Sequence, residues 1–246
     1  MRVVVSLDCG AGAVDSTLSD QGRDPGSNPR APLHFSPRDL ELRVIPPHIG
    51  AELFRRFHYL HAPAAGVKLT FGVFARNELR GALCLNAGPI SAYRLVRGAR
   101  PEDTMSLARL WLDDGLPKNS ESRVLGVLLH VLRRFTSVKF VTTYADPGAG
   151  HVGAVYQAAG WTYTGRSEAM PLMDLGDGVP RHTRSIASVA GTHSAAYFRR
   201  HGLQPTLTAT VPKFRYVAFV DRRWSDRLAV PALPYPKKEA VPHGAA

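Results

Sequence analysis

Cysteine is scarce in this chain: 246 residues carry two, Cys9 and Cys84. Two thiols exclude the disulfide framework of a small secreted scaffold and a cysteine-rich zinc site. Cys84 stands in an apolar run and reads as core, and a reducing compartment is the expectation. Long apolar runs are also lacking. No stretch approaches the ~18 residues that a membrane-spanning helix needs. Residues 1–6 are too short for the apolar core of a secretory signal, and an acidic residue follows at once. A cytoplasmic location is therefore expected. Acidic residues are few as well, 20 Asp and Glu against 31 Lys and Arg.

The resulting net charge is +11. Residues 1–40 hold four Lys or Arg and five Asp or Glu, so they contribute −1 and the remainder carries +12. Such an excess on a folded domain points to a polyanionic partner, nucleic acid first; a generally basic, Arg-rich proteome is the bland alternative. The length suits one sizeable domain, with room for an extension. Residues 1–38 are rich in Gly, Ser, Asp and Pro, with little apolar periodicity beyond a short run at Met1–Leu7, and are expected to be a loosely structured extension. Residues 229–246, with Pro231, Pro234, Pro236, Lys237 and Lys238, are expected to be a disordered tail. No internal repeat is present.

The body of the chain alternates strand and helix signals. Leu40–Ile45 alternates as a first strand. Pro46 and Pro47 end it and can open a helix whose apolar stripe is Ile49, Leu53, Phe57 and Leu60. Residues 68–74 and 81–85 flank a turn region at 75–80 and read as a hairpin. Residues 86–103 form a connection bearing Gly, Pro and Arg. Then comes the stretch around which the rest is organised, 107–160. Leu107–Leu112 is a short buried strand. Ser120–Phe135 is a helix with Val124, Leu128, Val131, Leu132 and Phe135 on one face. Val138–Tyr144 is a strand of β-branched and aromatic residues. Pro147, Gly148 and Gly150 break it, and a short helix over about 151–159 ends at Gly160. Strands over 161–167 and 213–221 follow, separated by an irregular, basic segment at about 174–212 with a helix near 194–200.

Two places in this order carry polar chemistry. The first is the start of the long helix, Lys118-Asn119-Ser120-Glu121-Ser122-Arg123. Asn119 or Ser120 can cap it, but no Glu or Gln closes a capping box. Uncapped amides, hydroxyls, the helix dipole and two cations together make a phosphate site. The second is Asp146, His151 and Tyr156, after the following strand, where open α/β sheets place ligands. Asp146 can equally cap the next helix and Tyr156 can be core. His58 and Tyr59 stand at the end of the first helix, where they can be ligands or simply pack. Arg109 is conspicuous on an apolar strand, because a buried, unpaired guanidinium is costly; a carboxylate or a cofactor phosphate would resolve it. Residues 170–227 hold nine Lys or Arg against four Asp or Glu. There Arg181, His182 and Arg184, then Tyr197, Phe198, Arg199 and Arg200, interleave cations with aromatics. Such a patch holds phosphates and stacks bases, or is a solvated face.

The element order over about residues 40–221 resembles the GNAT acyltransferase fold: one α/β domain with a mixed central β-sheet flanked by helices, over about 39–228, with the basic insertion at 174–212. In that family acetyl-coenzyme A lies with its pyrophosphate at the start of the central helix. The usual Gln/Arg-x-x-Gly-x-Gly/Ala signature is absent here, replaced by the 118–123 segment. Val155-Tyr156-Gln157-Ala158-Ala159-Gly160-Trp161 resembles the end of the last GNAT helix.

A narrower likeness rests on several blocks in register. They are His58-Tyr59; Leu107-Ala108-Arg109-Leu110-Trp111; Pro117-Lys118-Asn119-Ser120-Glu121-Ser122-Arg123; Tyr144-Ala145-Asp146; and Gly150-His151-Val152-Gly153-Ala154-Val155-Tyr156-Gln157-Ala158. Together they resemble the phage Mom family, which modifies DNA adenine. The resemblance implies N6-adenine methylcarbamoylation of double-stranded DNA from acetyl-coenzyme A with bound iron, protecting phage genomes from host restriction in the host cytoplasm. It implies an iron and catalytic site of His58, Tyr59, Asp146 and Tyr156. It implies acetyl-coenzyme A held by Arg109 and Ser122, beside Lys118, Asn119, Ser120 and Arg123. Arg181, Arg184, Arg199 and Arg200 are the DNA-binding candidates. The oligomeric state is left open, a homodimer among the options. Competing readings are a plain GNAT N-acetyltransferase acting on an RNA, peptide or small amine, and a non-catalytic basic DNA-binding domain.

Overall fold

The computed structural model describes residues 36–237. The expected N-terminal extension lies almost wholly outside the described residues, as does the tail beyond 237. The described chain falls into two compact units. The first comprises residues 36–142, 158–160 and 218–229; the second comprises 143–157, 161–217 and 230–237.

The first unit opens with strand β1 (Glu41–Val44) and helix α1 (Pro47–Phe57). Proline at the first helical position fits there because its missing N–H has no partner in any case. The helix stops at His58, which has extended backbone, and it buries Gly50, Leu53 and Phe54. Strands β2 (Val67–Ala75) and β3 (Glu78–Asn86) form the expected hairpin. Its two-residue turn, Arg76-Asn77, has positive φ at both positions, 50° and 67°. This is the turn whose twist matches paired strands. Strand β4 (Thr104–Leu112) starts three residues before the apolar run that announces it. β1 pairs antiparallel with β2, β2 with β3, and β3 with β4, the last with Cys84 opposite Arg109. Leu53 and Phe54 pack with Ala82 and Cys84 in one buried cluster, which Val67, Ala108 and Trp111 partly cover. Helix α2 (Ser120–Phe135) has the bounds read from its periodicity and buries Val124, Leu125, Val127, Leu128, Val131 and Leu132.

Strand β5 (Phe140–Ala145) is common to both units, its residues 140–142 falling in the first and 143–145 in the second. The helix α2 crossover that joins β4 to β5 is the connection a parallel pair requires.

The second unit holds all but the last residue of helix α3 (Ala154–Ala158), strand β6 (Thr162–Arg166), and most of the last long strand. Between them lies a small layer of its own. Strands β7 (Pro171–Asp174), β8 (Arg181–His182) and β9 (Thr206–Ala209) make a three-stranded sheet in the order β8-β7-β9. Helices α4 (Thr183–Ala190) and α5 (Ala195–Arg200) accompany it, with Met173, Ile186 and Phe198 as its buried cluster. The segment read as irregular therefore has a core. Its strands are two to four residues long, too short for an alternating pattern to register. The last strand, β10 (Phe214–Phe219), pairs antiparallel with β6. The main sheet is mixed and has seven strands, in the order β1-β2-β3-β4-β5-β10-β6.

Residues 231–237 depart from the expected disordered tail. The Leu233 N–H donates to Tyr163 O at 2.9 Å, and Pro236 O accepts from Gln157 Nε2 at 3.1 Å. No helix among the described residues is long and apolar enough to cross a membrane.

Candidate functional site

In the first unit, the start of α2 carries no side-chain cap. Asn119 has left-handed backbone, φ 71° and ψ 11°. Lys118 and Asn119 are exposed. The Ser120 hydroxyl is buried and donates to Pro117 O at 2.6 Å, while the Ser122 hydroxyl donates to Asn119 O at 3.1 Å. Both serines thus close the turn with their protons, leaving the first-turn amides and the helix dipole as the features that attract an anion. Arg123 Nε is buried without a hydrogen-bond partner among the described residues. Glu121, in the same first turn, favours the dipole but competes for the same positive field.

Arg109 lies on β4 and finds carbonyls, not a carboxylate. Its Nη1 donates to Ala108 O at 2.8 Å and its Nε to Ala62 O at 3.4 Å. Cys84 sits opposite it. Burial pushes the Cys84 thiol up to about 11, against the downward pull of the Arg109 charge. The thiol is therefore neutral and unreactive.

His58 is buried at the C-terminal end of α1. Its backbone N–H donates to Phe54 O at 3.3 Å, and its Nδ1 accepts the Leu60 N–H at 3.2 Å. Its ring meets Phe54 edge-on, with centroids 6.1 Å apart, and lies 4.4 Å from Tyr59. Tyr59 is 42% exposed.

In the second unit, Asp146 does what the bland reading expected and something more. Its Oδ1 accepts the Gly148 N–H at 2.9 Å, capping the short turn at Pro147–Ala149. Its Oδ2 pairs with Lys213 Nζ at 2.9 Å. The Tyr156 ring packs against Trp161 and Tyr216, with centroids 5.4 Å and 5.5 Å away. Tyr216 is fully buried. Its hydroxyl donates to Val152 O at 2.5 Å and accepts from Gln157 Nε2 at 3.0 Å. Burial pushes the Tyr216 phenol up, while the Gln157 hydrogen bond pulls it down. Gly153, with φ 79°, lies directly against this ring: a Cβ there would sit 2.5 Å from it. His151 is exposed, and its N–H donates to Asp146 O at 3.0 Å.

The basic residues divide. Arg181 is tied to Asp177 by two contacts, of 2.9 Å and 2.5 Å, which hold the Asp177 carboxyl well below the usual range. Much of its charge is thereby neutralised locally. Arg184 lies in α4. Arg199 and Arg200 stand exposed on the last turn of α5, beside a Tyr197 ring that lies 4.1 Å from His201.

Among the described residues, no three His, Cys, Asp or Glu side chains come together as a metal site. The expected set takes only one His and one Asp, and draws its other two donors from tyrosines. Those imidazole, carboxylate and phenol donors suit iron better than a soft metal. The Asp146 carboxylate is held at both oxygens, by the Gly148 N–H and by Lys213. Sequence reasoning missed Lys213 and Tyr216. Lys213 immediately precedes the last strand and Tyr216 lies in it, and nothing in their local pattern singles out their partners.

A model of the Mom protein family matches residues 39–237. The methylcarbamoylase Mom of Escherichia phage Mu is 28% identical over 211 residues, covering 82% of this chain and 86% of that protein. Among solved structures, AAC(6')-Ib in complex with ribostamycin and coenzyme A is 12% identical, with a TM-score of 0.41 over 79% of this chain and 99% of that one. The ribosomal L7/L12 alpha-N-protein acetyltransferase RimL, also 12% identical, has a TM-score of 0.37 over 71% of this chain and 77% of its own.

Proposed function

The chain belongs to the Mom protein family, and from that premise we propose that it is a transferase that modifies adenine N6 in double-stranded DNA by methylcarbamoylation, drawing on acetyl-coenzyme A. The observation that carries the proposal is the likeness to the phage Mu methylcarbamoylase, which extends over most of both chains. The activity protects phage DNA from host restriction. The exposed cations Arg199 and Arg200, in a chain of net charge +11, support a duplex DNA substrate.

Each part of the site has a role in this reading. The uncapped start of α2, with Lys118, Asn119, Ser120, Ser122 and Arg123, receives the phosphates of acetyl-coenzyme A on its amides. Arg123 Nε, buried without a partner, gains one when the phosphates arrive. Arg109, half-buried and bonded to two carbonyls, contributes a fixed cation beside them. On this reading His58, Tyr59, Asp146 and Tyr156 would hold iron, which with an external oxidant would supply the two-electron oxidation that joining an acetyl methyl carbon to a nitrogen requires. Acid–base residues alone move protons and cannot supply that oxidation. Lys213 pairs with one Asp146 carboxylate oxygen, and the Gly148 N–H donates to the other, so the carboxylate plane is fixed. The target base leaves the stack to meet these groups, at a cost of a few kcal/mol in unstacking.

The decisive experiment is mass spectrometry of nucleosides from plasmid DNA after expression of the chain. Methylcarbamoyl-adenine is the expected product. Acetylated amines without modified adenine would instead make the chain a plain acetyltransferase, with Tyr156 as general acid. Absence of coenzyme A binding would leave a DNA-binding domain without chemistry.

A further inference from the structure

Within the first unit, a cavity of about 220 Å³ opens between α1, the loop that follows it and the hairpin strands β2 and β3. Its walls are apolar: Phe54 and Ala51 from α1, Pro63 and Ala64 from the loop, and Val67 from β2. Three polar residues line it: Thr70 and Cys84 inside and His48 at the mouth. Thr70 is 3% exposed and its Oγ1 has no hydrogen-bond partner among the described residues. Native proteins rarely leave a buried hydroxyl unpaired, so this one calls for a partner from outside. Gly50 leaves room for the Thr70 methyl, which lies 2.5 Å from where a Cβ would stand. The Cys84 thiol is neutral, so it can neither attack nor bind metal as a thiolate.

We infer that this cavity is the receptor for the aromatic ring of the target base once it has left the DNA stack. The inference rests on the adenine-modification reading above and adds a specific subsite to it. Three observations favour a base over other occupants. The volume is below the ~300–1,000 Å³ typical of sites for larger ligands, so it suits a single heteroaromatic ring system and not a whole cofactor. Flat apolar walls with one or two hydrogen-bonding groups are how enzymes hold an extruded base. The cavity also adjoins residues assigned to the chemistry. Its wall residue Phe54 meets the His58 ring edge-on. Cys84 stands opposite Arg109, whose Nε–H donates to Ala62, next in the chain to Pro63. The exposed Pro47, His48 and Pro63 form a mouth through which a base can enter.

The test uses the full-length protein with alanine and threonine methyl groups labelled for NMR. Deoxyadenosine is expected to shift the Ala51, Ala64 and Thr70 methyl signals, and pantetheine, the acyl-carrying arm of coenzyme A, is not. Ala64→Phe fills the cavity. It is expected to cut adenine modification at least tenfold while salt-dependent duplex binding and coenzyme A binding stay within twofold. Thr70→Val, nearly isosteric, guards against misfolding of the larger variant and is expected to weaken deoxyadenosine binding several-fold. The inference is overturned if deoxyadenosine leaves all three methyls unmoved, if pantetheine moves them instead, or if Ala64→Phe marks adenine like the wild type. The two proposals fail separately. Wild-type protein that marks no adenine, yet shows the methyl shifts with deoxyadenosine, sinks the methylcarbamoylation reading and keeps the base pocket.

Discussion

Tyr216→Phe offers a sharp measurement because its cost can be worked out from the bonds around it. The phenol is fully buried. Its proton goes to Val152 O at 2.5 Å, and its oxygen receives Gln157 Nε2 at 3.0 Å. Deleting the hydroxyl would be expensive if either neighbour were left alone. Neither is: Gln157 Nε2 also reaches Val152 O at 3.1 Å and Pro236 O at 3.1 Å. The loss should therefore be that of one net hydrogen bond, about 1 kcal/mol, and not the ~3 kcal/mol of an orphaned polar group. In a chain of this size that lowers the melting temperature by about 2–4 °C. Urea unfolding followed by tyrosine fluorescence measures it. A loss above about 3 kcal/mol would show that Gln157 does not compensate, and no loss would show that the hydroxyl is not engaged. The pH dependence gives an independent check. Burial raises the folded-state phenol above the value of about 10 that it takes in the unfolded chain. A group raised in this way contributes stability that is complete below the unfolded value and lost as pH rises through the folded one. The advantage of wild type over Tyr216→Phe should hold at neutral pH and narrow above about pH 10.

Protein purified anaerobically without chelators should contain iron by elemental analysis, and Asp146→Ala should lose most of it while remaining folded; an iron-free wild type would remove the metal from the mechanism. Arg109→Ala should weaken coenzyme A binding in calorimetry by roughly tenfold to a hundredfold, the worth of one charge-assisted hydrogen bond. Ser122→Ala should matter less, because the Ser122 hydroxyl proton is already given to Asn119 O; equal losses in the two variants would contradict that ordering. Charge reversal at Arg199 and Arg200 should reduce both duplex affinity and its salt dependence. Unchanged binding would place the DNA face elsewhere, with Arg94, Arg97 and Arg100 the next candidates.

The fold was most legible where one face of an element is buried and the other is wet. Helix α2 could be bounded to the residue because Val124, Leu128, Val131 and Leu132 recur at helical spacing and are all buried. The β2–β3 hairpin was legible for a similar reason, although its turn proved to be only Arg76-Asn77, since Ala75, Glu78, Leu79 and Arg80 extend the strands. Residues 171–209 were not legible. Four elements there are six residues long or fewer, and their shared core rests on Met173, Ile186 and Phe198. Three apolar residues so far apart in sequence leave no period to read. The stretch at 231–237 misled for a different reason. It is held through the backbone of Leu233 and Pro236, and backbone hydrogen bonds leave no trace in composition.

The site follows the same division between local and distant causes. Lys118, Asn119, Ser120, Ser122 and Arg123 stand out as candidates because a helix start is a local event whose electrostatics are fixed by a few consecutive residues. Asp146 could be picked out by its place after a strand, but its ion pair with Lys213 spans 67 positions of sequence and becomes visible only in the fold. The same holds for Tyr216, which meets Val152 64 positions away. Arg109 shows the converse. Its presence on an apolar strand suggested a missing counter-charge, yet the fold answers with two carbonyls and a neutral thiol. Carbonyl dipoles lower the cost of burying a guanidinium without cancelling its charge. That difference matters for function. An arginine neutralised by a carboxylate would have little to offer a phosphate, whereas one held in place by carbonyls keeps its full charge for whatever anion comes next.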